Sequence, residues 1–228
     1  MASTVLREKK IKECLERDGC YDLEDPVAGE RFNDLEDRGR RFVTPYGIDF
    51  LKVIILNPRI RRVWREFYKR VTLGHSLIYS EKPKRIYSFS RGGPETFFIP
   101  AVHLCSKGSE VEYWVGSQNH RLPIIKNNEE NQPVEPLLEY TESSLINANC
   151  KRRRFTFDNG ALVLVDARIA FTLTKNDVLF SVFFPDDRIP PPLMILNKWS
   201  RELEVEVEDL QSDEVGANFQ FMATERSI

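Results

Sequence analysis

The sequence lacks most of the features that assign a chain to a class at sight. Its 33 basic and 35 acidic residues nearly cancel, which argues against a general binder of nucleic acid or membrane surfaces. No run approaches the roughly 18 apolar residues of a membrane span. The opening "MASTVLREKKIKECLERDG" carries charges where a secretory leader needs an apolar stretch. Cys14, Cys20, Cys105 and Cys150 follow neither a zinc spacing nor a disulfide framework, so the reducing cytoplasm is the expected compartment. Histidine is sparse, with only His75, His103 and His120. No internal repeat and no linker marks a second domain.

What is present reads as one domain over residues 1–228: a mostly helical part to 75, a β core from 76 to 190 and a C-terminal extension from 191. Ser3 can cap a first helix that runs to Asp18 and stops at Gly19. "CYDLEDPVAGE" reads as a short extended piece followed by a turn. The strongest helix signal is "NPRIRRVWREFYKRV", where Asn57 can cap and Pro58 suits the first helical position. Ile60, Val63, Trp64, Phe67, Tyr68 and Val71 form one apolar stripe. Arg59, Arg61, Arg62, Arg65, Lys69 and Arg70 lie opposite, read as a solvated face, with an acidic partner as the alternative.

From about residue 78 the texture changes. "RIYSFS", "TFFIPAVHL", "EVEYWVG", "RRFTF", "ALVLVDARIAFTL" and "VLFSVFF" are β-branched and aromatic-rich runs separated by turn residues. Short strands without intervening helices imply a sandwich or barrel. "NNEENQPVEPLLEYTESS" reads as a long loop beside the barrel mouth, with one helical turn at most. "RIPPPLMILNKW" reads as a polyproline-like crossing, and the acidic last stretch as a final helix or strand before a loose tail.

In this order, "IKECLERDGCYDL", "LNPRIRRVWREFY", "SKGSEVEYWVGSQNH" and "NGALVLVDARIAFTLTKN" together resemble the phytanoyl-CoA dioxygenase-like family. The resemblance implies a mainly β fold, a double-stranded β-helix (jelly-roll, cupin-like barrel) with N-terminal helices packed against it. It also implies iron(II)/2-oxoglutarate chemistry. "VGSQNH" stands where that family has Gly-Ser-His, with Gln118 at the histidine position.

The family's ligands are then missing. Its first two come as His-x-Asp or His-x-Glu, because alternate residues of a strand point the same way. Here His75 is followed two residues on by Leu77, His103 by Cys105 and His120 by Leu122. "IYSEKPKRIYSF", where the motif would lie, offers only Tyr79 and Glu81. Phe171 stands at the second histidine's position, although Asn176 matches the later asparagine. No arginine in "DVLFSVFF" can grip 2-oxoglutarate. An alternative metal set is His103 and Cys105 on one strand with Glu110 and Glu112 on the next, if those faces line the barrel. Along "ALVLVDARIAF", the face of Ala161, Val163, Val165, Ala167, Ile169 and Phe171 reads as core. Asp166 and Arg168 then read as an outer ion pair, Arg168 becoming an anion anchor if that face turns inward. "KRRR" at 151–154 reads as an exposed turn, with a nuclear address or an anionic-surface contact as alternatives.

The expected protein is thus a dioxygenase-like barrel without the iron and co-substrate sites. In one reading it is a pseudoenzyme that binds a small apolar metabolite in the barrel, or that forms a homodimer or a heterodimer with a related oxygenase. In another it is a metal-free isomerase, cyclase or dehydratase using His103, Glu112, Tyr113, Arg168 or His120 as acid and base. An atypical dioxygenase with iron(II) and 2-oxoglutarate is the third. The first two need no cofactor, and none involves nucleic acid or membrane.

Overall fold

A computed structural model describes residues 2–25, 27–37, 44–125, 137–189, 194–196 and 200–221. Helix α1 (Ala2–Asp18) ends at Gly19, whose φ of 81° closes the helix with a 2.9 Å bond from its N–H to the Leu15 carbonyl. Because α1 begins at Ala2, Ser3 lies inside the helix rather than at the position before it. Strand β1 (Cys20–Asp22) follows at once, then α2 (Ala28–Asp37) and α3 (Pro45–Ile55). Thr44 caps α3 by accepting from the Gly47 N–H at 3.1 Å. Helix α4 (Pro58–Arg65) starts as its sequence dictates, with the Asn57 side chain accepting from the Arg59 N–H at 2.9 Å.

Helix α4 is shorter than its apolar stripe suggests. Only Ile60, Val63 and Trp64 of that stripe are helical, and Val71 opens β2 (Val71–Tyr79). The sheet therefore begins within the stretch expected to be helical. Gly74 concealed this strand: it is the extra residue of a bulge, since Leu73 pairs with Phe183 and His75 with Val182. It breaks the alternation that would reveal a strand. The basic face of α4 is not simply solvated. Arg61 and Arg65 both hold Glu214, and Arg59 donates to the Leu23 carbonyl, so much of the acidic partner is the chain's own C-terminal segment.

The remaining strands are β3 (Ile86–Ser88), β4 (Pro100–Cys105), β5 (Ser109–Val115), β6 (Leu138–Tyr140), β7 (Lys151–Phe157), β8 (Ala161–Asp166), β9 (Ala170–Lys175), β10 (Val178–Pro185), β11 (Met194–Leu196), β12 (Val215–Ala217) and β13 (Phe219–Phe221). Helix α5 (Glu142–Asn147) lies between β6 and β7, and α6 (Arg201–Glu208) precedes β12. One sheet runs β1-β8-β4-β10-β2-β12 and the other β6-β3-β9-β5-β7; β11 and β13 form a separate parallel pair. Every pairing in the two large sheets is antiparallel except β12 on β2. This is the mainly β jelly roll expected from the resemblance.

"ALVLVDARIAFTL" is two strands, not one. The chain turns at Ala167–Ile169, closed by the Ile169 N–H on the Asp166 carbonyl at 2.9 Å, and passes from the six-stranded to the five-stranded sheet. "KRRR" is not a turn but the start of β7. Of the expected mouth loop (127–144), residues 127–136 lie outside the described residues, as do the prolines at 190–192 and the tail from 222; the rest is not loop but holds β6 and the start of α5.

Apolar side chains are buried in three layers. Leu73, Val102, Leu104, Leu162, Leu164, Leu179 and Phe183 on the outer face of the larger sheet meet Leu15, Phe32, Leu51, Ile54 and Trp64 of the helices. Between the sheets lie Ala101, Val111, Val163, Val165, Phe171, Phe180 and Val182. Outside the smaller sheet, Trp114 and Ala170 pack with Tyr140 and with Leu145 of α5. Strands of the larger sheet are thus apolar on both faces, which is why they read as continuous runs. Among the described residues no helix is long and apolar enough to cross a membrane.

Candidate functional site

The interior between the sheets is built from cross-strand pairs. In the larger sheet His103 of β4 pairs with Phe180 of β10, and in the smaller sheet Tyr113 of β5 pairs with Phe171 of β9. All four side chains point inward and meet. The His103 ring lies 4.5 Å from Phe180, 4.9 Å edge-on from Phe171 and 5.6 Å from Tyr113, centroid to centroid. The Tyr113 hydroxyl is 2.8 Å from His103 Nδ1. His103 and Tyr113 are 0% exposed, Phe180 1% and Phe171 2%, so water does not reach this centre. Rings continue outward through Phe89, Tyr79 and His75, whose Nε2 is 3.3 Å from the Tyr79 hydroxyl.

Burial sets the charge state here. It pushes His103 down to about 3 and His75 down to about 4, so both imidazoles are neutral at pH 7. It also raises the Tyr113 hydroxyl and the Cys105 thiol well above their ordinary values. Phe171 sits opposite Tyr87 of β3. The fold thereby joins the two stretches that would carry the ligands in the family this sequence resembles.

The residues present do not fit an iron(II) site of two histidines and a carboxylate. Phe171 offers no donor, and Tyr87 offers only a phenol hydroxyl. Among the described residues, His103 Nε2 and the Tyr87 hydroxyl are buried without a hydrogen-bond partner, and the ring cluster brings them no carboxylate. Among the described residues no three of His, Cys, Asp and Glu are grouped to hold a metal. The alternative set is split: His103 and Cys105 are buried in β4, while Glu110 and Glu112 point out of the barrel beside Arg154 and Arg152.

Of the five residues singled out from the sequence, only His103 and Tyr113 are together. Glu112 lies on the outer face of β5, 3.9 Å from Arg152. His120 is exposed beyond the turn that follows β5. Arg168 does not lie on the outer surface. It is buried in the turn between β8 and β9, with Nε 2.9 Å and Nη2 2.5 Å from the Asp166 carboxylate and Nη1 2.8 Å from the Thr96 carbonyl. Its ion pair and hydrogen bonds hold that turn to the segment before β4.

The "VGSQ" turn has a structural task that the sequence did not disclose. Gly116 turns the chain with a φ of 87°. Ser117 Oγ accepts from the Ala170 N–H at 2.8 Å, fixing the start of β9. Gln118 is fully buried, and its Nε2 donates to the Glu16 and Arg17 carbonyls, each at 3.3 Å. It satisfies acceptors that the end of α1 leaves open. A Cβ on Gly19 would lie 2.7 Å from Gln118 Oε1, so the glycine also makes room for this contact. The juxtaposition of Asp-Gly at the end of α1 with a glutamine 99 residues later was the signal, legible only once the two were packed.

No family model matches the chain, and no curated protein matches it. Solved structures do match. The epimerase SnoN, in complex with Fe3+, alpha ketoglutarate and nogalamycin RO, aligns with a TM-score of 0.53 at 11% identity, covering 79% of this chain and 84% of its own. HygX from Streptomyces hygroscopicus aligns at 0.50 and 13%, covering 84% and 91%. EctD from S. alaskensis aligns at 0.50 and 14%, covering 80% and 79%. At such identities the likeness is one of architecture: the chain has the jelly-roll fold also seen in SnoN, a non-heme alpha ketoglutarate dependent epimerase.

Proposed function

We propose that this protein is a non-catalytic member of the double-stranded β-helix architecture, a pseudoenzyme that works by supporting a partner. The observation that carries this reading is the interlocked His103–Tyr113–Phe171–Phe180 centre. SnoN, which shares the fold, is found with Fe3+ and alpha ketoglutarate; here Phe171 and Tyr87 face each other across paired strands. The packed centre favours partner support over an apolar metabolite filling the barrel. The test is a thermal melt with manganese(II) and 2-oxoglutarate. A ligand that binds only the folded state at about 100 times its dissociation constant would stabilise it by about 2.7 kcal/mol. The proposal expects no shift; a saturable shift that needs both ligands would restore the dioxygenase reading.

A metal-free enzyme is the second reading, favoured by one observation: His103 Nε2 is unpartnered on a neutral imidazole oriented by Tyr113. In the tautomer whose Nδ1–H donates to the Tyr113 hydroxyl oxygen, this nitrogen keeps its lone pair and can accept a proton from a bound substrate. This requires the ring cluster to open, and activity abolished by His103→Asn in a folded variant would support it.

A further inference from the structure

We propose that β7 is a docking edge for an extended acidic segment of a partner protein, added as a further strand to the five-stranded sheet. The inference rests on the scaffold reading above and deepens it by naming the partner's chemistry. Four strands end the two large sheets. Three of them, β1, β12 and β6, are only three residues long. The fourth, β7, has seven residues, and its ladder with β5 runs from Phe157 opposite Ser109 to Lys151 opposite Val115 without a bulge. Proteins ordinarily shorten, bulge or cover such an edge, because its outward N–H and C=O groups template another strand. Among the described residues β5 is the only strand paired with β7, so alternate backbone groups along it face outward.

Charge selects what can be added. Lys151, Arg152, Arg153 and Arg154 are all exposed. A second copy pairing antiparallel over the whole of this edge would be centred on Arg154, setting it against its own copy with Arg152 on the diagonal, and like charges opposed across strands are destabilising. On the outer face Arg152 lies 3.4 Å from Glu142 and Arg154 is held by Glu110. Those carboxylates make the face a poor track for phosphates, which disfavours nucleic acid and anionic lipid. On the strand's other face, Lys151 and Arg153 have no carboxylate within 4.0 Å among the described residues; Arg153 lies 5.2 Å over the Phe155 ring, and its charge also acts on Asp18 at the end of α1. An acidic strand would complete the ladder with its backbone and place carboxylates on alternate residues against Lys151 and Arg153.

The experiment uses the full chain and a fluorescein-labelled peptide of alternating glutamate and valine, followed by anisotropy and by hydrogen exchange. Saturable binding is expected, with exchange slowed along 151–157. Binding should weaken about tenfold in Lys151→Ala/Arg153→Ala and further in Lys151→Glu/Arg153→Glu. The fully N-methylated peptide, equal in charge but without amide donors, should not bind. Equal binding of the methylated peptide overturns the proposal, as does binding of a single-stranded oligonucleotide or phosphatidylserine vesicles in the peptide's place. Absence of peptide binding with a melt unmoved by manganese(II) and 2-oxoglutarate overturns the edge assignment alone. A shifted melt overturns the scaffold reading itself.

Discussion

His103 shows how a residue that looks catalytic in sequence becomes a core residue in the fold. Its Nδ1 bonds Tyr113, its ring faces two phenylalanines, and burial takes its pKa from 6.5 to about 3. The folded chain therefore binds fewer protons than the unfolded chain between those values. Stability is fully present above pH 6.5 and is lost as the pH falls toward 3, with His75 adding its share down to about 4. Unfolding in urea across this range should show stability falling by an amount on the order of a few kcal/mol. His103→Leu/Tyr113→Phe removes both partners of the bond together, which leaves neither unsatisfied. That variant should have a visibly shallower slope; an unchanged slope would contradict the assignment. His103 and Tyr113 were legible as candidates only as polar residues within neighbouring strand runs; that both stand inward comes from the packing of the sheets. Glu112, His120 and Arg168 were grouped with them because a sequence does not disclose which face of each strand is inward.

Helix α4 and the C-terminal segment illustrate the same limit among elements. Asn57-Pro58 announces the start of α4, and the local chemistry of caps is enough to place it. Its end is set by contacts distant in sequence. Glu214 receives Arg61 and Arg65, and Arg70 reaches Asp186 and the Ser212 carbonyl, as β12 joins the edge of β2. Glu214 is 28% exposed and Arg61 29%, so solvent screens the cluster and its worth is modest. Glu214→Gln should cost about 1 kcal/mol or less, speed hydrogen exchange in β12, and lose its effect at high salt. Exchange in β12 that ignores both mutation and salt would show that backbone pairing alone holds the segment. Strand β2 was hidden by the Gly74 bulge. The break between β8 and β9 was hidden because "DARI" contains neither glycine nor proline, and its turn is held by the buried Asp166–Arg168 pair.

The architecture followed from the order of helical and strand-like runs, and the missing His-x-acid pattern was visible without any structure. The packing of the centre was not visible, because it depends on β4 pairing with β10 and β5 with β9 before the two sheets close on each other. Sheet closure converts a list of absent ligands into a positive statement: the middle of the barrel is core. Phe171 carries that statement most directly, since it is 2% exposed among His103, Tyr113 and Phe180. Deleting a ring from a packed interior leaves a cavity and typically costs about 3–5 kcal/mol, whereas trimming a side chain at an open site changes stability by roughly 0.5 kcal/mol or less. The decisive measurement is the equilibrium unfolding free energy of Phe171→Ala against the parent chain. A loss of about 3–5 kcal/mol is predicted for a core residue; a variant as stable as the parent would mean that the centre is an open site and that the pseudoenzyme reading is wrong.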